Sequence, residues 1–255
     1  MIKGITFDLW DTVFIDDSDE PKRRAAGRPS KAVERRQLTH RFLAKHQPID
    51  PATVEVVYNA ADAAFRKVWH DHHVTWTVSE RLDIIFKALK RELPETERRE
   101  LVRLHEEMEL EFRPDFVPGV HEALAALHKR YKLAVISDAI FSPGRCLRTL
   151  LADEGLLSYF DAFIFSDEIG FSKPAPIVFK TAMEKLGLSA FEMVHIGDRE
   201  HNDILGPQQA GMHALLCTAA VDRGAAHTSA DAVFDDYRRL PELVDALNRK
   251  EENGK

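Results

Sequence analysis

Cysteine is nearly absent from this chain of 255 residues, and Cys146 and Cys217 alone cannot build a disulfide framework. No apolar run approaches the ~18 residues that a membrane-spanning helix needs. A charged-then-apolar leader is also missing, because Met1-Ile2-Lys3-Gly4 passes straight into a strand-like stretch. The expectation is a reducing, cytoplasmic setting without a membrane partner. Twelve glycines and twelve prolines are too few for a collagen-like or low-complexity chain, and 44% hydrophobic with 30% charged residues excludes disorder. There is also no excess of positive charge. A net charge of −7 argues against a nucleic-acid partner for the chain as a whole.

Charge is present in blocks. Lys22 to Lys45 holds nine lysines and arginines against one acid, Glu34, directly after the acidic cluster Asp16, Asp17, Asp19 and Glu20. Charge runs are usually solvated faces, and this one could also steer an anionic substrate or an acidic partner.

Short apolar runs recur between helical patterns: Ile2 to Phe7, Lys132 to Ile136, Ala162 to Phe165, Met193 to Ile196, Met212 to Leu216, and a weaker Ala232 to Phe234. Continuous apolar strands alternating with helices predict a parallel sheet covered on both faces, a three-layer α/β core. Roughly 100 residues separate the first two strands, too many for a structureless loop. Their pattern is helical. Val54, Val57, Tyr58, Ala61, Phe65 and Val68 share one face of a helix that Asp50 could cap and Pro51 could begin, and Leu101, Leu104, Met108 and Phe112 form a second stripe after Pro94. The expected layout is a core of residues 1–13 and 116–255 split by an all-α insert of residues 14–115.

Ligands of parallel α/β sheets bind beyond the carboxyl ends of the strands. The first strand runs into Asp8-Leu9-Trp10-Asp11-Thr12, the second into Ser137-Asp138, the third through Ser166-Asp167 to Lys173-Pro174, and the fourth into Gly197-Asp198 with Asn202-Asp203 following. One aspartate after a strand is ordinary turn chemistry. Together these ends supply carboxylates for a hard cation and a hydroxyl and an ammonium for phosphoryl oxygens.

In these motifs the sequence resembles the haloacid dehalogenase superfamily, and the resemblance covers nearly the whole chain, including a run from Gly206 to Ala210-Gly211-Met212. It implies a Rossmann-like core with a helical cap between the first and second motifs, and most simply a Mg²⁺-dependent phosphatase acting on a small phosphorylated, anionic metabolite. Asp8 would be the nucleophile that becomes an aspartyl-phosphate. Asp8, Asp198 and the backbone carbonyl of Trp10 would hold Mg²⁺, with Asp203 supporting from behind. Ser137 and Lys173 would bind the phosphoryl group, with Thr12 and Asp138 beside them. A dimer formed through the cap is left open.

One position departs from the pattern. Phosphatases of the family carry an acid/base aspartate where this chain has Trp10, and an indole N–H has no useful acidity. Asp11 is the nearest replacement, although in an extended chain its side chain would point the other way. Three readings follow: a phosphatase, slow or served by another acid; a hydrolase of C–halogen or C–P bonds that needs no such acid; or a binding or regulatory protein on the same fold. Asp198 argues against the metal-independent dehalogenases, and no lysine of the insert stands out for the phosphonate hydrolases. The phosphatase is therefore favoured. His70, His72 and His73 are expected to close the long helix in a structural or substrate-contacting role rather than bind metal, Trp69, Trp76 and Phe65 to pack inside the insert, where one could line the pocket, and both cysteines to be buried.

Overall fold

The computed structural model describes residues 1–253. β1 (Gly4–Phe7) and β2 (Lys132–Ser137) are parallel neighbours although the whole helical insert lies between them in sequence. β3 (Ala162–Phe165), β4 (Met193–Gly197), β5 (His213–Cys217) and β6 (Ala232–Phe234) complete a parallel sheet of order β3-β2-β1-β4-β5-β6. Every strand anticipated from the sequence is present, with ends moved by two residues at most.

Alternation within the strands explains the three layers. Ile5, Phe7, Leu133, Val135, Val194 and Ile196 face α7 (Val120–Leu127), α8 (Gly144–Asp153) and α12 (Leu240–Asn253) in one cluster. Ala134, Ile136, Ile164 and Met193 face α10 (Pro176–Leu186) in another. Both faces are buried, so the strands read as unbroken apolar runs. Cys146 and Cys217 are free and buried, as expected.

Between β1 and β2 the chain folds into α1 (Glu20–Ala25), α2 (Lys31–Ala44), α3 (Pro51–His72), α4 (Val78–Leu89), α5 (Glu95–Glu106) and α6 (Met108–Glu111). These helices have their own apolar cluster, including Leu38, Phe42, Val54, Tyr58, Leu82, Phe86 and Leu101. α3 begins at Pro51, but the Asp50 side chain makes no cap. It accepts a hydrogen bond from the Thr53 hydroxyl instead. The second stripe is broken at Glu107, which separates α5 from α6. His73 closes α3 in the left-handed conformation, and its carbonyl accepts from the Ser172 amide while Thr75 donates to Gly170. This short antiparallel pairing ties the end of α3 to the segment preceding Lys173.

The basic segment is a correction to the solvated-face expectation. Arg23, Lys31 and Arg35 are buried: Arg23 pairs with Glu34, and Lys31 with Asp19 at 2.7 Å and Glu109 at 3.2 Å. Burial of these charges is possible because Glu34 of α2, Glu109 of α6 and Asp17 and Asp19 of the acidic cluster reach them.

Candidate active site at the carboxyl ends of β1 and β4

The strand order reverses between β1 and β4, and the Phe7–Ile196 register brings Asp8 and Asp198 side by side beyond the last paired residues. One ligand oxygen each from Asp8, Asp198 and Asp203 lie within 4.8 Å of one another, and all three residues are buried. Gly197 makes this possible. A Cβ there would sit 2.3 Å from Asp203 Cγ, so any side chain would drive Asp203 out.

Lys173 binds the cluster together. Its Nζ lies 2.7 Å from Asp8 Oδ1 and 2.6 Å from Asp203 Oδ1. Burial disfavours its charge, but Asp203, Asp8 and Asp138 outweigh that and hold its pKa above the ordinary value. Asp203 is the fixed anion. Burial opposes its ionisation, yet Lys173 and His195 hold its carboxyl below the ordinary range. Its oxygens contact Lys173, His195 Nε2 at 3.2 Å and the Arg199 amide at 3.0 Å, while Thr6 Oγ1 meets the other ring nitrogen of His195.

Asp8 and Asp198 lie on the other side of the balance. Burial raises the Asp8 pKa despite Lys173. Asp198 is pushed up to about 7 by burial and then by Asp8 and Asp203. Its Oδ1 is buried without a hydrogen-bond partner. An orphaned anionic oxygen between like charges is the chemistry of a hard cation's ligand, so these residues fit Mg²⁺. Ser137 Oγ and Thr12 Oγ1 are likewise buried and unpartnered. Asp138 is pushed up to about 7 by burial, and accepts from the Lys173 amide at 2.9 Å.

The first motif does not stay extended. Thr12, Val13 and Phe14 all donate to the Leu9 carbonyl, and Asp11 takes a positive φ of 54°. In this turn Trp10 packs on the edge of Phe14, with centroids 5.5 Å apart, and lines the cavity. The Asp11 oxygens accept from the Asp16 amide and from Arg223. Arg223 also donates from Nε to Asp198 Oδ2.

Arg223 and His195 were missed in the sequence. His195 lies inside an apolar strand, where histidine reads as core. Arg223 was findable in principle, as a charged residue before Gly224 in the loop beyond β5, one more strand end on the same side.

Above the cluster lies a cavity of about 410 Å³, floored by Asp8 and Lys173 and walled by α2, α3 and α4. That volume is in the usual small-molecule range. His70, His72 and His73 are not gathered into any metal-ligating group among the described residues.

The haloacid dehalogenase-like hydrolase family model matches residues 2–211. A phosphoglycolate phosphatase of Photobacterium profundum is 33% identical over 129 residues, 49% of this chain and 55% of that protein. A glyceraldehyde 3-phosphate phosphatase of Methanothermobacter thermautotrophicus is 32% identical over 122 residues, 46% of this chain and 52% of that protein. The match thus spans about half the length of these curated relatives. Among solved structures, a 2-haloacid dehalogenase from Pseudomonas syringae superposes with TM-score 0.67 at 24% identity, covering 96% of this chain and 99% of that one. A phosphatase of the same superfamily from Thermococcus onnurineus gives 0.63 at 23%, covering 95% and 98%. These two share the fold. Together with the strand-end motifs, the family match makes this chain a member of the haloacid dehalogenase-like hydrolases.

Proposed function

We propose that the protein is a Mg²⁺-dependent phosphatase of small phosphorylated metabolites, working through an aspartyl-phosphate on Asp8, with residues 14–115 acting as a cap. The observation that carries this reading is the set of unsatisfied groups around one buried ion pair. Ser137 Oγ and Asp198 Oδ1 lack partners while Lys173 and Asp8 line the cavity. Buried polar atoms without partners cost ~1–3 kcal/mol each, which a bound phosphoryl group and cation would recover.

Asp8, Asp198 and the Trp10 carbonyl would hold Mg²⁺, which when bound supplies positive charge to neutralise the phosphoryl oxygens and Asp8. Lys173 favours the ionised form of Asp8 against its burial and orients it, one oxygen engaged at 2.7 Å and the other left to attack phosphorus. The ester oxygen departs with the electrons of the P–O bond. Water then cleaves the acyl phosphate, releasing orthophosphate and regenerating Asp8. Ser137 and Lys173 fix the phosphoryl oxygens, with Thr12 and Asp138 supporting them.

Trp10 cannot protonate the leaving oxygen, and Asp11 is not free to do so, since both its oxygens are occupied. Hydrolysis should therefore favour esters whose alcohol leaves as a weak base. Loss of a general acid typically costs ~10²–10⁴-fold. Mg²⁺-dependent turnover of an aryl phosphate by wild type, Asp8→Asn and Trp10→Asp tests this. Activity in wild type that disappears in Asp8→Asn supports the reading. Silence in wild type with activity gained in Trp10→Asp favours a binding protein instead.

The missing acid also suits a dehalogenase, and chloride release from a 2-haloacid without Mg²⁺ would favour that reading. Asp198 beside Asp8 speaks against it, since a metal-independent reaction has no use for a second buried carboxylate that suits a cation.

A further inference from the structure

Besides Lys173, five cations line the cavity above Asp8: Lys31, Arg35, Arg66, Arg81 and Arg199, the last lying 3.8 Å from Asp198. Two are already committed. Lys31 is held by Asp19 and Glu109, and Arg81 by Asp62 at 2.9 Å and the Ile140 carbonyl at 2.8 Å. Arg35 is different. Its side chain is only 6% exposed, yet its Nε and Nη2 have no hydrogen-bond partner, and Glu109 Oε1 stands 3.7 Å from Nη2, beyond bonding distance. Glu109 is also shared with Lys31 and the Ser142 hydroxyl. Arg35 and Arg81 both lie over the ring of Phe141, at 3.6 and 3.9 Å. Arg66, exposed on α3, makes no hydrogen bond or ion pair among the described residues.

Nε and Nη2 are adjacent donors on one edge of the guanidinium, a spacing that matches the two oxygens of a carboxylate. With Glu109 close by and Asp16, Asp17 and Asp62 also on the cavity walls, a singly charged carboxylate suits this guanidinium better than a more highly charged second phosphate. Burial without partners works against the Arg35 charge, so an acceptor there removes an existing cost. Resting on the phosphatase reading above, we propose that Arg35 is a subsite for a carboxylate on the substrate, making the substrate class small phosphomonoesters of carboxylic acids. Arg66 draws the anion in at the rim, and Phe141 backs the guanidinium.

Calorimetry in Mg²⁺ with two non-hydrolysable probes, 3-phosphonopropionate and propylphosphonate, tests the subsite without relying on turnover. The carboxylate probe is expected to bind wild type about 10- to 100-fold more tightly, the range of a charge-assisted hydrogen bond. Arg35→Gln should abolish the difference, and Arg35→Lys should keep part of it. Equal affinities in wild type, or a difference that survives Arg35→Gln in folded protein, would overturn the subsite and leave the phosphatase reading intact. A 1,3-bisphosphonate that outbinds the carboxylate probe would overturn the choice of carboxylate. If neither phosphonate binds and no aryl phosphate is turned over, both proposals fall together.

Discussion

Replacing Lys173 with Met tests whether this lysine is the electrostatic centre of the site. Its Nζ is shared by Asp8 and Asp203, and the three side chains are 2%, 9% and 1% exposed. Removing one partner of a buried ion pair typically costs ~3–5 kcal/mol, because an uncompensated charge stays behind. Here two carboxylates are left, so the upper part of that range applies. For a chain of this size ~4 kcal/mol corresponds to a fall of about 8–15 °C in the melting midpoint. The sign with pH follows from the individual groups. Lys173 is raised above its ordinary 10.5, so its contribution is complete below that pH and is lost only as pH rises past its folded value. Asp203 is depressed below 3.8, so its contribution is complete above that pH and is lost in acid. The Lys173–Asp203 pair therefore keeps its full stabilisation from about pH 4 to 10, while Asp8 and Asp198, raised in pKa, favour the folded state more at the acid end of that window. In the variant the orphaned carboxylates rise in pKa, and protonating them relieves the repulsion. Thermal melts of both proteins in chelator, at pH 5 and pH 8, should show a deficit at pH 8 that shrinks at pH 5. A deficit equal at both pH values, or below ~1 kcal/mol, would refute the electrostatic account.

Ser137→Ala should separate stability from activity. The Ser137 hydroxyl is buried and unpartnered, so its removal is expected to leave the melting midpoint unchanged or slightly higher, while turnover of an aryl phosphate falls by about 10- to 100-fold. A large loss of stability would mean that the hydroxyl is satisfied in solution. Arg223→Gln is expected to tighten Mg²⁺ by about three- to tenfold, ~1 kcal/mol for removing a cation that is 39% exposed and shares Asp198. Calorimetric titration reads this directly, and weaker binding would assign Arg223 to orienting Asp198 instead.

The sheet was legible because both its faces are buried, which writes each strand as an apolar run whatever the loops do. Strand-end polar residues were legible for a related reason, since an aspartate or lysine directly after such a run has one end of the sheet to go to. Side-chain partnerships were not. Nothing local in Lys31 or Arg35 says that Glu109, some seventy residues on, will fold against them. The basic segment therefore read as a solvated face when its middle is packed inside the insert. His195 failed for the opposite reason: burial made it look apolar, while its two nitrogens join Thr6 to Asp203.

Trp10, Asp11 and Arg223 are best understood as one structural unit rather than three separate oddities. The left-handed turn at Asp11 sends its carboxylate to Arg223 and the Asp16 amide, and the same turn leaves Trp10 on the cavity wall. Asp11 thus neutralises part of an arginine that also reaches Asp198, and so limits how much charge Arg223 brings to the acidic cluster. Changing Trp10 to Asp alone would add a further carboxylate beside Asp8, Asp198 and Asp203 without adding a cation. Any gain in acid/base chemistry from that substitution would therefore depend on Mg²⁺ more steeply than wild-type activity does, because the added charge must be balanced before phosphate can approach.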